Sequence, residues 1–177
     1  MTNINRRSYL KAAGTVPVVG VVAGCLGGSG ESGTLATHVS DQPGDIGDFE
    51  TLLIQVNGVR VKPEDADLER FDADAEVDLT QLVGEAAELI NEEDLETGTY
   101  EFLQLDAEAS EATLSGGGSA TVDLPGDAPL KFEKEFEIRS EETTSFTADF
   151  TPVKQGQTDR YVLQPVADEV MVSYEDS

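Results

Sequence analysis

The pattern of apolar and polar residues along the chain is dominated by strict alternation. Leu52, Ile54 and Val56 are each separated by one residue, and Phe146 and Phe150 belong to a second run of the same kind. Successive side chains of a β-strand point to opposite faces, so a period of two predicts a strand with one buried face. Both runs are therefore predicted to be strands.

Further runs of this kind bring the expected number of strands to about nine, separated by clusters of Gly, Pro and Asp. They lie at residues 34–40, 77–82, 99–106, 120–124, 132–138, 161–166 and 170–174. Asn57 and Gly58 form a pair typical of a two-residue hairpin turn, and the alternation resumes at Val59 and Val61. Many short strands of this kind are typical of a β-sandwich or a barrel.

One segment departs from the alternation. Ala86, Leu89 and Ile90 recur at helical spacing, with glutamates at neighbouring positions. The spacing predicts a short helix from residue 84 to residue 91. The chain is therefore expected to be all-β, with one short helix.

Composition and charge exclude several classes of protein. The 177 residues suit one domain, and 36 Asp and Glu against 11 Lys and Arg give a net charge of −25. A nucleic-acid binder neutralises phosphates with clustered basic residues, so that class is excluded. A single cysteine excludes an intrachain disulfide and a cysteine metal cage.

The first 24 residues differ in charge from the rest of the chain. They contain Arg6, Arg7 and Lys11 and no acidic residue. The apolar run that follows is shorter than the ~20 residues of a membrane-spanning helix. Paired arginines before such a run resemble the twin-arginine export motif, a route that carries folded proteins. Residues 1–24 are therefore predicted to be an export signal.

Cys25 directly follows this segment. Ala23 and Gly24 before it resemble a lipoprotein box, in which small residues admit a peptidase and the cysteine thiol accepts a lipid. The Gly- and Ser-rich residues 25–33 are expected to be a flexible tether, and residues 34–177 a single β-sandwich domain. The predicted location is outside the cell, at the outer face of the membrane, held by a lipid on Cys25.

Without the predicted signal, the chain has 8 basic and 36 acidic residues, which gives a net charge of −28. The acids are spread along the chain and alternate with apolar runs, unlike a disordered acidic tract. Such a composition is typical of extreme halophiles, because molar salt shortens the Debye length to ~3 Å and screens the repulsion. The alternative is an acidic surface that binds cations or basic partners.

A segment from residue 41 to residue 48 contains Asp41, Asp45 and Asp48 between turn-forming residues. Together with Asp149, these are the candidate ligands of a Ca²⁺ site, since that ion takes about six to eight oxygen ligands. An ordinary polar turn is the alternative, because Asp and Gly are both common in turns.

A second acidic series alternates at Asp72, Asp74, Glu76 and Asp78. An EF-hand loop beginning at the first of these would need a glycine at its sixth position and an acid at its twelfth, and valine occupies both. The series is therefore expected to be the solvated face of an extended segment.

No catalytic residue is predicted. His38 is the only histidine, and one imidazole builds neither a histidine metal site nor a triad, so a structural or surface position is expected. The glycine-rich loop at residues 115–119 lacks the lysine and the predicted helix that follow a phosphate-binding loop. The protein is accordingly expected not to be an enzyme.

Several short motifs, in this order, resemble the domain-of-unknown-function family numbered 4382. They lie at residues 33–35, 39–43, 56–61, 77–82, 95–100, 144–150 and 161–166. The resemblance implies an exported, often lipid-anchored protein whose activity is unassigned. The segment Leu95 to Tyr100 is also similar to one in transthyretin-like and collagen-adhesin sandwiches. This resemblance implies an antiparallel β-sandwich of prealbumin or immunoglobulin-like type, with Tyr100 packed at a corner of the sandwich.

The sequence thus predicts a membrane-anchored lipoprotein that serves as a non-enzymatic binding or structural module of the cell surface. Its ligand or protein partner is left open. The alternative is a cation- or solute-binding lipoprotein that uses the acidic loop at residues 41–48.

Overall fold

A computed structural model describes residues 30–41, 44–84, 86–125, 129–166 and 170–176. These residues form eleven strands and two short 3-10 turns, the latter at Asp45–Asp48 and Leu79–Gln81. In chain order the strands are β1 (Ser32–Asp41), β2 (Phe49–Pro63), β3 (Glu69–Asp78), β4 (Ala87–Glu96), β5 (Gly98–Leu114), β6 (Thr121–Asp123), β7 (Leu130–Phe132), β8 (Phe136–Ile138), β9 (Glu142–Lys154), β10 (Arg160–Pro165) and β11 (Met171–Asp176).

The strands form two sheets that pack as a sandwich, which confirms the expected all-β class. Sheet A has the order β4-β1-β9-β10-β6, with β11 paired to β9. Sheet B has the order β3-β2-β5-β7, with β8 paired to β5. Most pairings are antiparallel, but β1 runs parallel to β9 and β6 runs parallel to β10.

Aromatic side chains from both sheets fill the centre of the sandwich. Phe132 of β7 meets Phe146 and Phe150 of β9 edge-on, with ring centroids 6.4 and 5.5 Å apart. Phe136 of β8 approaches Phe146 at 5.2 Å. Tilted and edge-on pairs of this kind are favoured by the quadrupole of the ring, so the alternation of the sequence becomes a close-packed interface between sheets.

The predicted hairpin turn at Asn57 and Gly58 is wrong. β2 continues through this pair as the central strand of its sheet, and its register to β3 and β5 shifts between Val56 and Gly58. The extra residue is a β-bulge, which leaves Asn57 exposed and returns Val59 to the core. An Asn-Gly pair is compatible with a hairpin turn and also with a bulge. Here β2 is hydrogen-bonded to β3 on one side and to β5 on the other, so the strand continues and the pair forms a bulge.

The predicted helix at residues 84–91 is also wrong. Residues 87–96 form β4, which pairs with β1 in an antiparallel register. Leu89 is 47% exposed while Ile90 is buried, so the two do not share one apolar face. Hydrogen bonding to the otherwise unpaired edge of β1 outweighs the helical propensity of a Glu-rich segment.

Tyr100 occupies a corner of the sandwich. Its hydroxyl donates to the carbonyl oxygen of Glu96 at 3.0 Å, four residues upstream, and its ring stacks on Phe136 at 5.2 Å. This is the arrangement of a tyrosine corner, in which the phenol ties a strand to the preceding turn. The residue is structural, in agreement with the expected role.

The export signal with Arg6 and Arg7, and the lipidation residue Cys25, lie outside the described residues. Within the described part of the chain, no helix has the length and hydropathy needed to cross a bilayer. β1 begins at Ser32, so the last two residues of the predicted tether, 32 and 33, belong to a strand.

Candidate functional site

The four candidate calcium ligands fall into two separate groups. Asp41, at the end of β1, and Asp149, in β9, are completely buried. Asp45 and Asp48 lie in the first 3-10 turn, near the surface. Among the described residues, no group of three or more Asp, Glu, His or Cys side chains is arranged to hold a metal ion. The geometry therefore gives no support to calcium binding by these four residues.

Asp41 lies in the interior, where its carboxyl group keeps its proton to a higher pH than in water. Its carboxylate oxygens have no hydrogen-bond partner among the residues that the structure describes. Burial, and then the charge of Asp149, raise the pKa of Asp41 to about 7. The parallel register sets Ser40 opposite Asp149, so the two carboxyl groups extend from opposite faces of sheet A.

Asp45 and Asp48 fasten the 3-10 turn to sheet A. The Oδ2 of Asp45 accepts the backbone N–H of Lys154 at 2.7 Å. The Oδ2 of Asp48 accepts from the Tyr161 hydroxyl at 2.7 Å and from the Lys154 Nζ at 3.0 Å. These two bonds lower the pKa of Asp48. Both carboxylates are thus used to hold the loop in place.

The glycine-rich loop lies beside this cluster. Ser115 donates its backbone N–H and its hydroxyl to the carbonyl oxygen of Asp48, at 2.9 and 2.8 Å. The loop, Lys154 and Tyr161 border an open cleft of about 220 Å³. These contacts join the glycine-rich loop to the 3-10 turn that contains Asp48.

A larger cleft of about 420 Å³ lies beside the tyrosine corner and is lined with carboxylates. Glu64, Asp65, Glu69 and Glu96 contribute acidic groups to its wall. Burial, followed by the charges of Glu69 and Glu96, raises the pKa of Tyr100 to about 12. The phenol therefore stays protonated and keeps its structural hydrogen bond.

His38 lies on the outer face of sheet A. The registers set it in one row with Leu89 of β4, Thr147 of β9 and Met171 of β11. The side chain is half-buried, and its Nδ1 has no hydrogen-bond partner within the described part of the chain. This position agrees with the expectation that His38, as the only histidine, has a structural or surface position.

The outer face of sheet B carries a feature that the sequence analysis missed. The registers place Arg70 of β3, Arg60 of β2, Gln104 of β5 and Lys131 of β7 in one row across four strands. We call these four residues the basic row. Three of the eight basic residues outside the export signal thus share one row, in which neighbouring strands are about 5 Å apart and Gln104 separates Arg60 from Lys131.

Asp106 organises the basic row. Its Oδ2 accepts from the Arg60 Nε and Nη2 at 3.2 and 3.0 Å, and from the Arg70 Nε at 3.1 Å. Arg70 also pairs with Asp72 at 2.6 Å. The hydrogen bond to Asp106, above all, raises the pKa of Arg70. The two guanidinium groups are therefore held over the strand in a defined orientation.

Gly58, at the bulge in β2, leaves room for this cluster because it has no side chain. A Cβ atom on Gly58 would lie 3.1 Å from the Arg70 Nη2 and 3.2 Å from the Asp106 Oδ2. At the other end of the row, the Lys131 Nζ lies 4.0 Å from the centroid of the Phe102 ring, a cation–π contact. The glycine that resembled a turn signal instead permits the close approach of two side chains.

The family profile described as Domain of unknown function (DUF4382) matches residues 32–165. The chain belongs to the DUF4382 family. The match begins at the first residue of β1 and ends at the last residue of β10. It therefore covers β1 to β10, leaving out only β11 of the described strands, and includes Arg60, Arg70 and Lys131. No curated protein matches the chain.

A signal for the basic row was present in the sequence of this DUF4382 domain. Arg60 and Arg70 fall within eleven residues of a chain in which basic residues are scarce. Their alignment depends on the bulge at Gly58 and on the cross-strand register, because a shift of one residue would turn the side chains to the other face. The sequence pattern alone does not determine how these strands are aligned with one another.

Proposed function

We propose that this protein is an exported lipoprotein, anchored at the outer face of the cell membrane, that serves as a non-enzymatic binding or structural module. The observation that carries the proposal is the order of the N-terminal features. An acid-free segment with Arg6 and Arg7 leads to Cys25, the only cysteine, which stands seven residues before β1. A signal, a lipid acceptor and a tether are expected in this order.

The length of the tether sets the distance of the domain from the membrane. Seven residues reach at most about 25 Å when fully extended. A domain with a net charge of −28 is repelled by anionic headgroups, so the lipid itself must hold it. A single acyl chain gives only marginal binding, and a second chain or contact is expected.

The bonding of the polar side chains supports a binding or structural role over catalysis. Asp48 is bound to Lys154 and Tyr161, and the Tyr100 hydroxyl is bound to the backbone of Glu96. These groups stabilise loops and corners. A catalytic group needs instead a position in which its proton or lone pair meets a substrate.

The test is to produce the full chain in a host that has twin-arginine export and lipoprotein processing. The wild-type protein is expected in the membrane fraction, with a lipid on Cys25 detected by mass spectrometry. Cys25→Ser should release the protein into the medium. Arg6→Lys combined with Arg7→Lys should retain the unprocessed chain inside the cell. Ser29→Ala in the tether is the matched control and should behave as wild type. Membrane binding of Cys25→Ser that equals wild type would overturn the proposal.

A further inference from the structure

β11 is a strand added at the edge of the part of the chain that the family shares. The family match ends at Pro165, and β11 follows it. β9 pairs with β1 on one side, and on its other side with β10 along residues 150–154 and with β11 along residues 142–147. We call residues 142–147 of β9 the β9 edge. Without β11, this edge would present unpaired backbone N–H and C=O groups to a further strand.

β11 contributes little to the core. Its antiparallel register runs from Met171, opposite Thr147, to Asp176, opposite Glu142. None of its six residues is buried, and Met171 is 59% exposed. Segments with few buried apolar contacts open locally at a low free-energy cost. β11 can therefore leave the β9 edge while the packed aromatic core stays in place.

Alternate side chains of β11 nonetheless make defined contacts. Val172 is half-buried against the core, opposite Phe146 in the register. The Tyr174 ring faces Arg139, whose guanidinium carbon lies 3.7 Å from the ring centroid, and its hydroxyl accepts the backbone N–H of Glu137 at 3.3 Å. Where a peptide adds a strand to a sheet, the backbone supplies affinity and alternate side chains supply specificity. The β9 edge thus suits a valine followed two positions later by a tyrosine.

The last pair of the register sets two acidic residues against each other. Asp176 lies opposite Glu142, and like charges directly opposite each other destabilise a pair of strands. The neighbouring cation is shared: the Arg139 Nη2 lies 2.9 Å from the Glu137 Oε2, and its Nη1 lies 3.7 Å from the Glu142 Oε2. A basic residue in place of Asp176 would attract Glu142 instead of repelling it.

We infer that the β9 edge is a binding site for an extended peptide of a partner protein, and that β11 occupies this site within the chain itself. The partner segment pairs antiparallel with residues 142–147. At alternate positions it carries a valine, a tyrosine and a basic residue, the last opposite Glu142. A second copy of the chain fits less well, because its C-terminal strand carries the same acidic residue as β11. This ligand class deepens the binding role proposed above and rests on it.

β11 limits access to the site in the free protein. Because it belongs to the same chain, it competes with any added peptide at an effective concentration of the order of mM. A partner segment must displace it, and the contact of its basic residue with Glu142 favours the exchange.

The test opens the site and supplies the strand from outside. The opened variant carries Val172→Asp and Tyr174→Asp, which remove the two side chains that contact the core and Arg139. The control variant carries Met171→Asp and Ser173→Asp, which add the same charge on the exposed side of the same strand. Both are made in the full chain with Cys25→Ser, so that no lipid affects the measurement. Circular dichroism verifies folding, and the lowest KCl concentration at which all proteins are folded is used.

The probes are fluorescent peptides with the sequence of residues 170–177, and anisotropy measures their binding. The natural peptide should bind the opened variant at least about tenfold more tightly than the wild-type or the control protein, because β11 occupies the site in those two. A peptide with Asp176→Lys should bind the opened variant more tightly still, and Glu142→Gln in that variant should remove this advantage. A peptide with Val172→Asp and Tyr174→Asp should bind at least about tenfold more weakly than the natural one.

A folded opened variant that does not bind the natural peptide would overturn the inference, as would equal binding by the control variant. If the opened variant does not fold, Tyr174→Ala takes its place and should bind the natural peptide more tightly than the wild type does; equal binding would contradict the inference.

These outcomes are independent of the lipid anchor. A lipidated protein whose opened variant binds no peptide would contradict this inference alone. Peptide binding by a protein that receives no lipid on Cys25 would contradict the proposed anchoring alone.

Discussion

At the scale of single residues, Asp41 is the side chain whose state departs most from its behaviour in water. It is completely buried, and its carboxyl group has no hydrogen-bond partner among the described residues. Burying a charge without such partners is costly, so the acid keeps its proton over a wider range of pH. Its pKa is raised from 3.8 to about 7. The effect on stability follows from the direction of this shift.

We expect Asp41→Asn to change the pH dependence of stability. Because the folded state binds the proton more tightly than the unfolded state, the contribution of Asp41 is complete below about pH 4. It declines by up to about 1.4 kcal/mol per pH unit as the pH rises towards 7, and is lost above it. The amide does not titrate, so the stability of the variant relative to wild type should rise between pH 4 and 7.

Urea unfolding of both proteins across this range at fixed salt measures the difference. Asp65→Asn is the control, since it removes a carboxyl group from the exposed loop after β2 and leaves the interior unchanged. A stability difference for Asp41→Asn that does not vary with pH would show that Asp41 ionises normally in the folded protein.

At the scale of elements, tertiary pairing determines structure wherever local signals are ambiguous. The alternation in β9 identified a strand because Phe146, Ala148 and Phe150 are all buried in the core. The helical spacing near Leu89 was misleading, because an edge strand with few buried side chains loses its alternation. The long β2 was divided at Asn57, since a bulge and a turn share the same residue preferences. The local sequence pattern can identify a strand, but the register of that strand depends on the strands with which it pairs.

Two substitutions in β4 test the edge strand against the helix. Ile90→Ala removes a side chain that is buried against the core and should cost about 2 kcal/mol of unfolding free energy. Leu89→Ala removes one that is 47% exposed and should change stability by less than about 0.5 kcal/mol. Thermal or urea unfolding of the pair measures both. Equal losses would indicate that both side chains share one buried face, as in a helix.

The candidate site residues show the same difference between what is close in sequence and what is close in the structure. Sequence reasoning selected Asp41, Asp45 and Asp48 because they are close along the chain, and the structure uses them in two different places. It missed the alignment of Arg60, Arg70 and Lys131, because the third is about sixty residues from the second. Side chains that are brought together by the pairing of several strands are far apart in the sequence, so a local sequence pattern does not reveal them.

At the scale of the whole molecule, charge sets the conditions for folding. All 36 acids belong to the part of the chain after the export signal, and the ion pairs of the described residues involve only a few of them. The uncompensated carboxylates repel one another in the folded state, and salt reduces this repulsion. The family match says nothing of salt, so adaptation to a saline environment remains a prediction from composition.

The protein is expected to lose structure in dilute buffer and to regain it in molar KCl. The reason is that screening lowers the free energy of the compact acidic state more than that of the expanded chain. Circular dichroism of the chain, from dilute buffer to molar KCl, follows the strand signal directly. Equal structure and equal thermal stability at both ends of the titration would contradict a halophilic adaptation.

The position of β1 has a consequence for the order of folding. β1 follows the N-terminal segment immediately, yet it lies between β4 and β9, and Thr34 pairs with Thr143. Contacts between residues so far apart form late, because a long loop must close first. Sheet A therefore cannot close around its first strand until β9 has been synthesised. In a chain that is exported in the folded state, the strand next to the signal would therefore lack its β9 partner until more than a hundred further residues had been synthesised.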